Sequence, residues 1–330
     1  VALDFFKKFV FLCFLVLSRD VCSGLQSNVI ICGICKNVEN SLSSTIENIK
    51  LLGSKFHQYR VVVYENNSED LTKTILAQWA RWDKNVLVIS EDLDTNHLTE
   101  GFVCFDCNGN SSRMERIAKA RNRILQEIFT SQFDAFGFVI MVDLDFQKKW
   151  PIDEIVHTIH VKGDEDWDAI TANGIRSDGI YYDRFAFRNE KFLLGPELLG
   201  ETWWREIEKT PLRFDGDHWI PVFSAFGGLA IYKKDSIRGC FYSGSVTENL
   251  RVDYGDILSL SAPINTHIQE YIHINYFEEN PRMGNLPILF IENSGYSGSP
   301  VCCEHVTFHA DMRQKGNGKI FINPKMFMHY

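Results

Sequence analysis

The stretch FGFVIMVDLDFQ, Phe136 to Gln147, decides the fold. Phe138-Val139-Ile140-Met141-Val142 is apolar throughout, and two aspartates one residue apart, Asp143 and Asp145, follow at once. A strand with one face in water alternates apolar and polar residues, whereas a strand covered on both faces is apolar all along. The run therefore reads as a buried strand of a parallel sheet. Ligands of such sheets sit beyond the carboxyl ends of the strands, which is where the aspartates stand. Residues two apart at a strand end point the same way. Two carboxylates facing together repel unless a cation lies between them. A hard divalent ion, Mg²⁺ or Mn²⁺, suits oxygen ligands and keeps positions open for substrate phosphates.

The segments before this strand alternate in the same sense. NVIICGICKN (Asn28–Asn37) reads as a buried strand, and Leu42, Ile46, Ile49 and Leu52 recur at helical spacing. Arg60 to Tyr64 is a second strand, LTKTILAQWARW a helix, KNVLVISED a third strand, and Glu115 to Phe129 a long helix. This order predicts an α/β fold with a mostly parallel sheet, right-handed crossovers and helices on both faces. From about Pro151 the texture turns aromatic and irregular, as in GIYYDRFAFR and ETWWREIEK. No repeat or low-complexity linker interrupts it, so residues 25–330 are expected to form one composite domain.

With 330 residues and a formal net charge of −9, the chain is a poor candidate for sequence-independent nucleic-acid binding. At the N-terminus Lys7 and Lys8 precede an apolar run from Phe9 to Leu17, short for a membrane span. Val21 and Ser23 suit cleavage near Gly24. Residues 1–24 are thus expected to be a signal peptide or short membrane anchor, which implies the secretory pathway or membrane association through the N-terminus. A buried N-terminal helix is the other reading. Nine cysteines are present, and losing Cys13 and Cys22 with a signal leaves an odd seven. CGIC (Cys32, Cys35) and CFDC (Cys104, Cys107) have zinc-knuckle spacing. Cys32 and Cys35, however, lie in an apolar run, where small core residues are the stronger expectation. Cys104–Cys107 and Cys302/Cys303 are candidate disulfides in an oxidising compartment. Sequons stand at Asn66-Asn67-Ser68 and Asn110-Ser111-Ser112.

Two further stretches carry chemistry. YENNSED (Tyr64–Asp70) follows the second strand, so Glu65 and Asn66 are candidates to touch a base or ribose, while Ser68 or Asp70 caps the next helix. RMERIAKARNRIL clusters Arg113, Arg116, Lys119 and Arg121 in an acidic chain. Arg113, Arg116 and Ala120 share a helix face. The alternatives are a diphosphate contact and a solvated face. No dinucleotide fingerprint, P-loop or nucleophile elbow is present.

A strand-terminal D-x-D on an open α/β sheet resembles the GT-A glycosyltransferases. YENNSEDLT is similar to their nucleotide-binding loop, with Glu65 and Asn66 standing where that loop has two acids. ERIAKARN, FSAFGGLAIYKKDSI (Phe223–Ile237) and the C-terminal block from Cys302 to Tyr330 resemble segments of the fungal capsule-associated α-1,3-mannosyltransferase family. The resemblance implies a metal-dependent hexosyltransferase that uses a nucleotide-diphosphate sugar, GDP-mannose first, and a glycan or glycoconjugate acceptor. Residues 25–150 would form the nucleotide-sugar half and 151–330 the acceptor half. Glu65, Asn66, Asp70, Arg113, Arg116 and Arg121 would hold the donor. Asp145 would bind Mn²⁺ or Mg²⁺ directly, Asp143 through water or by holding the ribose, and His329 would supply a further metal ligand, with His305 and His309 as the second choice. Glu304-His305 stands where many inverting relatives have Glu-Asp, so either His305 is a candidate base or the enzyme is a retaining one that needs no such carboxylate. Trp203, Trp204, Asp217, His218 and Trp219 are candidates for an acceptor wall. A Mg²⁺ phosphatase and a non-catalytic glycan-binding relative are the competing functions.

Overall fold

In β1 (Asn28–Cys35), successive side chains leave for opposite faces of the sheet, and both faces are covered. Ile30 and Cys32 enter one apolar cluster, Val29, Ile31 and Cys35 the other. β2 (Gln58–Asn66) and β4 (Phe138–Val142) divide alike: Val62, Tyr64, Val139 and Met141 face one cluster, Val61, Val63, Ile140 and Val142 the other. This double burial is why these strands are apolar without alternation. The computed structural model describes residues 27–93, 113–146, 148–163, 165–199, 207, 209–253 and 301–330. The expected N-terminal signal or anchor, Cys104, Cys107, the Asn110 sequon, Trp203 and Trp204 lie outside the described residues. Among the described residues, no helix is long and apolar enough to cross a membrane.

One eight-stranded sheet runs in the order β3-β2-β1-β4-β7-β5-β8-β6. Its remaining strands are β3 (Val86–Glu91), β5 (Ala169–Ile175), β6 (Ile220–Pro221), β7 (Leu229–Lys233) and β8 (Ile320–His329). β3, β2, β1 and β4 are mutually parallel. β7 is antiparallel to β4 and β5, β8 runs with β5, and β6 runs against β8. Strands from the two halves of the chain thus lie side by side in one sheet, meeting where β4 pairs with β7.

The helices cover both faces. α1 (Glu39–Gly53), α2 (Thr72–Trp82) and α4 (Ile152–His160) bury Leu42, Ile49, Leu76 and Ile155 on one side. α3 (Arg113–Ile128) and α6 (Glu304–Gln314) bury Ala118, Ile124, Val306 and Phe308 on the other. A short α5 (Pro196–Leu199) carries Glu197, whose carboxylate is ion-paired with the buried Arg188 at 3.0 Å. Cys32 and Cys35 leave β1 for opposite clusters, so they cannot share a zinc ion. Cys303 is a buried free thiol, so no disulfide joins Cys302 to Cys303, which corrects the expectation for this pair.

Candidate active site

The carboxyl ends of β1, β2, β4 and β8 and the start of the antiparallel β7 share one edge of the sheet, and a cavity of about 840 Å³ opens there. That volume accommodates a nucleotide-sized ligand. The aspartate loop forms its floor and is held from three sides. Ser41 and Thr45 of α1 donate their hydroxyls to the Leu144 carbonyl at 3.3 and 3.0 Å. The Asp143 N–H donates to the Gly228 carbonyl at 3.0 Å. Leu144 packs down on β1 at Gly33, where any Cβ would come within 2.5 Å of its side chain. Leu144 buried and the aspartates turned the other way is the strand alternation continued past the strand end.

The cavity has two electrostatic ends. Arg113, Arg116 and Lys119 from α3, with Lys36 after β1, form a cationic wall. Burial lowers the pKa of Arg116, Arg113 lowers it further, and the buried Nη1 of Arg116 has no hydrogen-bond partner. Asp143, Asp145, Asp183 and Glu304 line the other end. Burial pushes the Asp143 carboxyl up to about 7 against the pull of Arg121, and Asp145 and Asp183 push it the same way. Asp145 itself is exposed.

Arg121 does not lie on the outer face of its helix. Its side chain is 4% exposed, Nη2 donates to Asp143 Oδ1 at 3.0 Å, and Nε donates to Glu304 Oε1 at 3.1 Å. Its guanidinium carbon sits 4.9 Å from the centre of the Phe226 ring. Arg121 therefore joins β4 to α6 under the floor, with Nη1 left unpaired.

Several expected donor contacts are corrected. Glu65 is wholly buried, and its carboxylate accepts from the Ser68 N–H at 2.8 Å and the Ser90 hydroxyl at 2.5 Å. It braces the loop after β2 and does not reach the cavity, whereas its neighbour Asn66 does. Asp70 accepts from the Thr72 N–H at 2.9 Å and the Glu39 N–H at 3.1 Å, capping α2 and α1 together. That satisfies orphan donors at two helix starts and leaves Asp70 outside the cavity lining.

The C-terminal histidines are corrected too. His329 is exposed beside Phe327, away from the cavity. Tyr330 lines the cavity instead, its hydroxyl 3.4 Å from Asp143 Oδ2 and its ring 4.3 Å from that of Phe146. Counting by twos from the buried Met326 and Met328 would have put residue 330, not 329, on the inner side. His309 is fixed between the Ser224 hydroxyl at 2.9 Å and the Tyr232 hydroxyl at 3.1 Å, so it forms no metal pair with His305. His305 lines the cavity, but burial and Arg121 hold its pKa well below the ordinary value, which makes it a poor base. Asp217 and His218 stand outside the cavity lining, with Asp217 ion-paired to Lys325. Trp219 packs edge-on against Trp167 on the opposite face, as a core residue and not an acceptor wall. Sequence reasoning missed Asp183, a cavity residue within the aromatic segment after β5.

For a divalent cation the fit is that of a half-built site. Asp143 and Asp145 offer hard oxygen ligands on one side, and no group of three His, Cys, Asp or Glu side chains closes a cage among the described residues. Such a donor set suits an ion that completes its shell with water and substrate oxygens, as Mg²⁺ commonly does.

A family model described as Cryptococcal mannosyltransferase 1 matches residues 29–271. No curated protein matches the chain. Solved structures similar to it include GalNAc-T7 with UDP, GalNAc and Mn²⁺, at 12% identity over 93% of this chain and 44% of that one, with a TM-score of 0.42. Another is the mannosyltransferase PcManGT from Pyrobaculum calidifontis in complex with GDP-Man and Mn²⁺, at 15% identity over 64% and 46%, with a TM-score of 0.35. Glucosyl-3-phosphoglycerate synthase from Mycobacterium tuberculosis matches at 16% identity over 74% and 69%, with a TM-score of 0.38. The chain spans about half the length of PcManGT and of GalNAc-T7. The matched residues of the family model hold the α3 arginines, the Asp143-Leu144-Asp145 strand end and Asp183, well over half of the sequence, and the chain belongs to the Cryptococcal mannosyltransferase 1 family.

Proposed function

We propose that this chain transfers a hexose, mannose in the first instance, from a nucleotide-diphosphate sugar to a hydroxyl of a glycan or glycoconjugate. The observation that carries this reading is the opposition, across one cavity, of the arginine wall of α3 and the Asp143/Asp145 strand end. Arg113 and Arg116 suit the diphosphate, since guanidinium groups pair with phosphate oxygens in a fixed fork. The unpaired Nη1 of Arg116 is a buried donor awaiting such an acceptor. Lys36 and Asn66 at the ends of β1 and β2 border the space left for the nucleoside.

Asp143 and Asp145 would hold Mn²⁺ or Mg²⁺. When bound, the ion neutralises charge that builds on a departing diphosphate. Arg121 holds Asp143 in place through Oδ1, and Leu144, bonded to α1, fixes the direction of both carboxylates. The reading is consistent with the family to which the chain belongs. A panel of GDP- and UDP-hexoses, read by nucleotide release with Mn²⁺ and again with a chelator, tests it. Metal-dependent release from one donor is expected. Hydrolysis of simple phosphate esters in its place would make the chain a phosphatase, and no turnover of either kind would make it a binding protein.

A further inference from the structure

The acidic end of the cavity contains polar groups that the diphosphate reading leaves unused. His305 is 2% exposed and lines the cavity, and neither of its ring nitrogens has a hydrogen-bond partner. Nε2 lies 3.4 Å from Glu304 Oε1, without the alignment of a hydrogen bond. The ring is stacked on Phe226, with centroids 3.8 Å apart. Leaving both nitrogens of a buried imidazole unsatisfied is unfavourable, so the arrangement calls for a partner. Asp183 stands in the same wall. Its carboxylate is fixed by the Gly227 N–H at 2.9 Å and the Ala186 N–H, and it retains acceptor capacity toward the cavity. Gly227 has φ +64°, and a Cβ there would meet the Ala172 carbonyl at 2.3 Å, so this turn is built for a glycine.

We propose that His305 and Asp183 form a subsite that reads the hydroxyls of a neutral pyranose. This rests on the transferase reading and specifies the sugar part of it. A hydroxyl both gives and accepts a hydrogen bond, which is what a neutral imidazole and a carboxylate need together. A phosphate only accepts, and Asp143, Asp183 and Glu304 would repel it; the same three carboxylates disfavour a uronic acid. Burial and the nearby Arg121 keep His305 neutral, so the imidazole offers one donor and one acceptor.

The test uses His305→Phe on the full chain. The substitution keeps a planar ring for Phe226 and removes both unpaired nitrogens. If His305 is only structural, melting temperature stays level or rises and ligand binding does not change. Wild type and variant are titrated with GDP, UDP and their neutral hexose forms in the presence of Mn²⁺, and nucleotide release is followed with methyl α-mannopyranoside as acceptor. The expected result is GDP or UDP affinity within about twofold of wild type, together with at least a tenfold loss in one sugar-dependent quantity. Loss of the affinity added by the donor hexose places the pyranose in the donor. A raised acceptor KM alone places it in the acceptor. Asp183→Asn, judged by retained nucleotide binding, must shift the same quantity. Unchanged sugar dependence in both variants overturns the subsite while leaving the transferase reading in place, as does an equal loss of nucleotide and nucleotide-sugar binding. If the wild type binds no nucleotide in either form, both readings fall.

Discussion

Arg121 and Asp143 are joined at 3.0 Å across the base of the cavity, although they come from different elements, and the same guanidinium reaches Glu304 at 3.1 Å. Removing one partner of a buried ion pair strands the other, at a cost of about 3–5 kcal/mol. Arg121→Met leaves two carboxylates facing each other with no cation between them. Urea unfolding should show a loss of that order. Adding Glu304→Gln should restore part of it. A midpoint equal to wild type in Arg121→Met would mean that the pair contributes nothing to the fold.

Asp145→Ala should behave in the opposite way. Asp145 is exposed and packs against no core, so unfolding should move by no more than about 0.5 kcal/mol. Donor turnover should nevertheless be abolished, because one of two candidate cation ligands is gone. Turnover within a few-fold of wild type, measured by nucleotide release with Mn²⁺ present, would remove the metal-centred reading.

The parallel half of the sheet was legible because double burial leaves a plain mark: β1, β2 and β4 are apolar runs, and each ends in polar residues at one edge. The aspartate pair was legible for the same reason. Side-chain direction was not. Glu65 reads as a ligand until β3 brings Ser90 to it, and Asp70 reads as a ligand until Glu39 presents its N–H. Arg121 shares its helix with the exposed Arg113, and only the docking of α6, from the far end of the chain, shows that it is a buried brace. Asp183 carries no pattern of its own; the Gly227 turn, 44 residues later, places it.

Arg116→Ala should raise the KM for the donor with little change in kcat. A diphosphate contact made equally in ground and transition states is uniform binding. A hydrogen bond to a charged group contributes about 1.5–3 kcal/mol, which corresponds to roughly a 10- to 150-fold change in KM. Circular dichroism should not change, since alanine favours helix and the substitution removes a buried donor that has no protein partner. A fall in kcat of the same size with KM unchanged would place Arg116 at the transition state.

His329→Ala and Tyr330→Phe separate the two C-terminal side chains. His329 is exposed and outside the cavity, so its loss should leave the Mn²⁺ concentration for half-maximal turnover unchanged. The Tyr330 hydroxyl lies 3.4 Å from Asp143 Oδ2, so Tyr330→Phe frees that oxygen. Half-maximal Mn²⁺ should then shift by a few-fold while the aromatic contact with Phe146 persists. A shifted requirement in His329→Ala would return the metal ligand to the histidine.

His309 gives the protein an acid-sensitive limb. Burial, with a smaller push from Arg313, lowers its pKa from 6.5 to about 3, and it is held neutral between Ser224 and Tyr232. In the unfolded chain the imidazole recovers its ordinary value. Between about pH 3 and 6.5 the unfolded state therefore binds a proton that the folded state refuses. Stability from this group is fully present above pH 6.5 and is lost as pH falls toward 3, by up to about 1.4 kcal/mol per pH unit. His309→Gln keeps a polar side chain that does not titrate. It should be less stable than wild type near pH 7.5, and the gap should narrow as pH falls from 6.5 to 4.5. Thermal unfolding across that range reads the difference. A gap that stays constant with pH would show that His309 does not carry the acid limb, and a gap that widens would mean that its pKa in the fold is raised and not lowered.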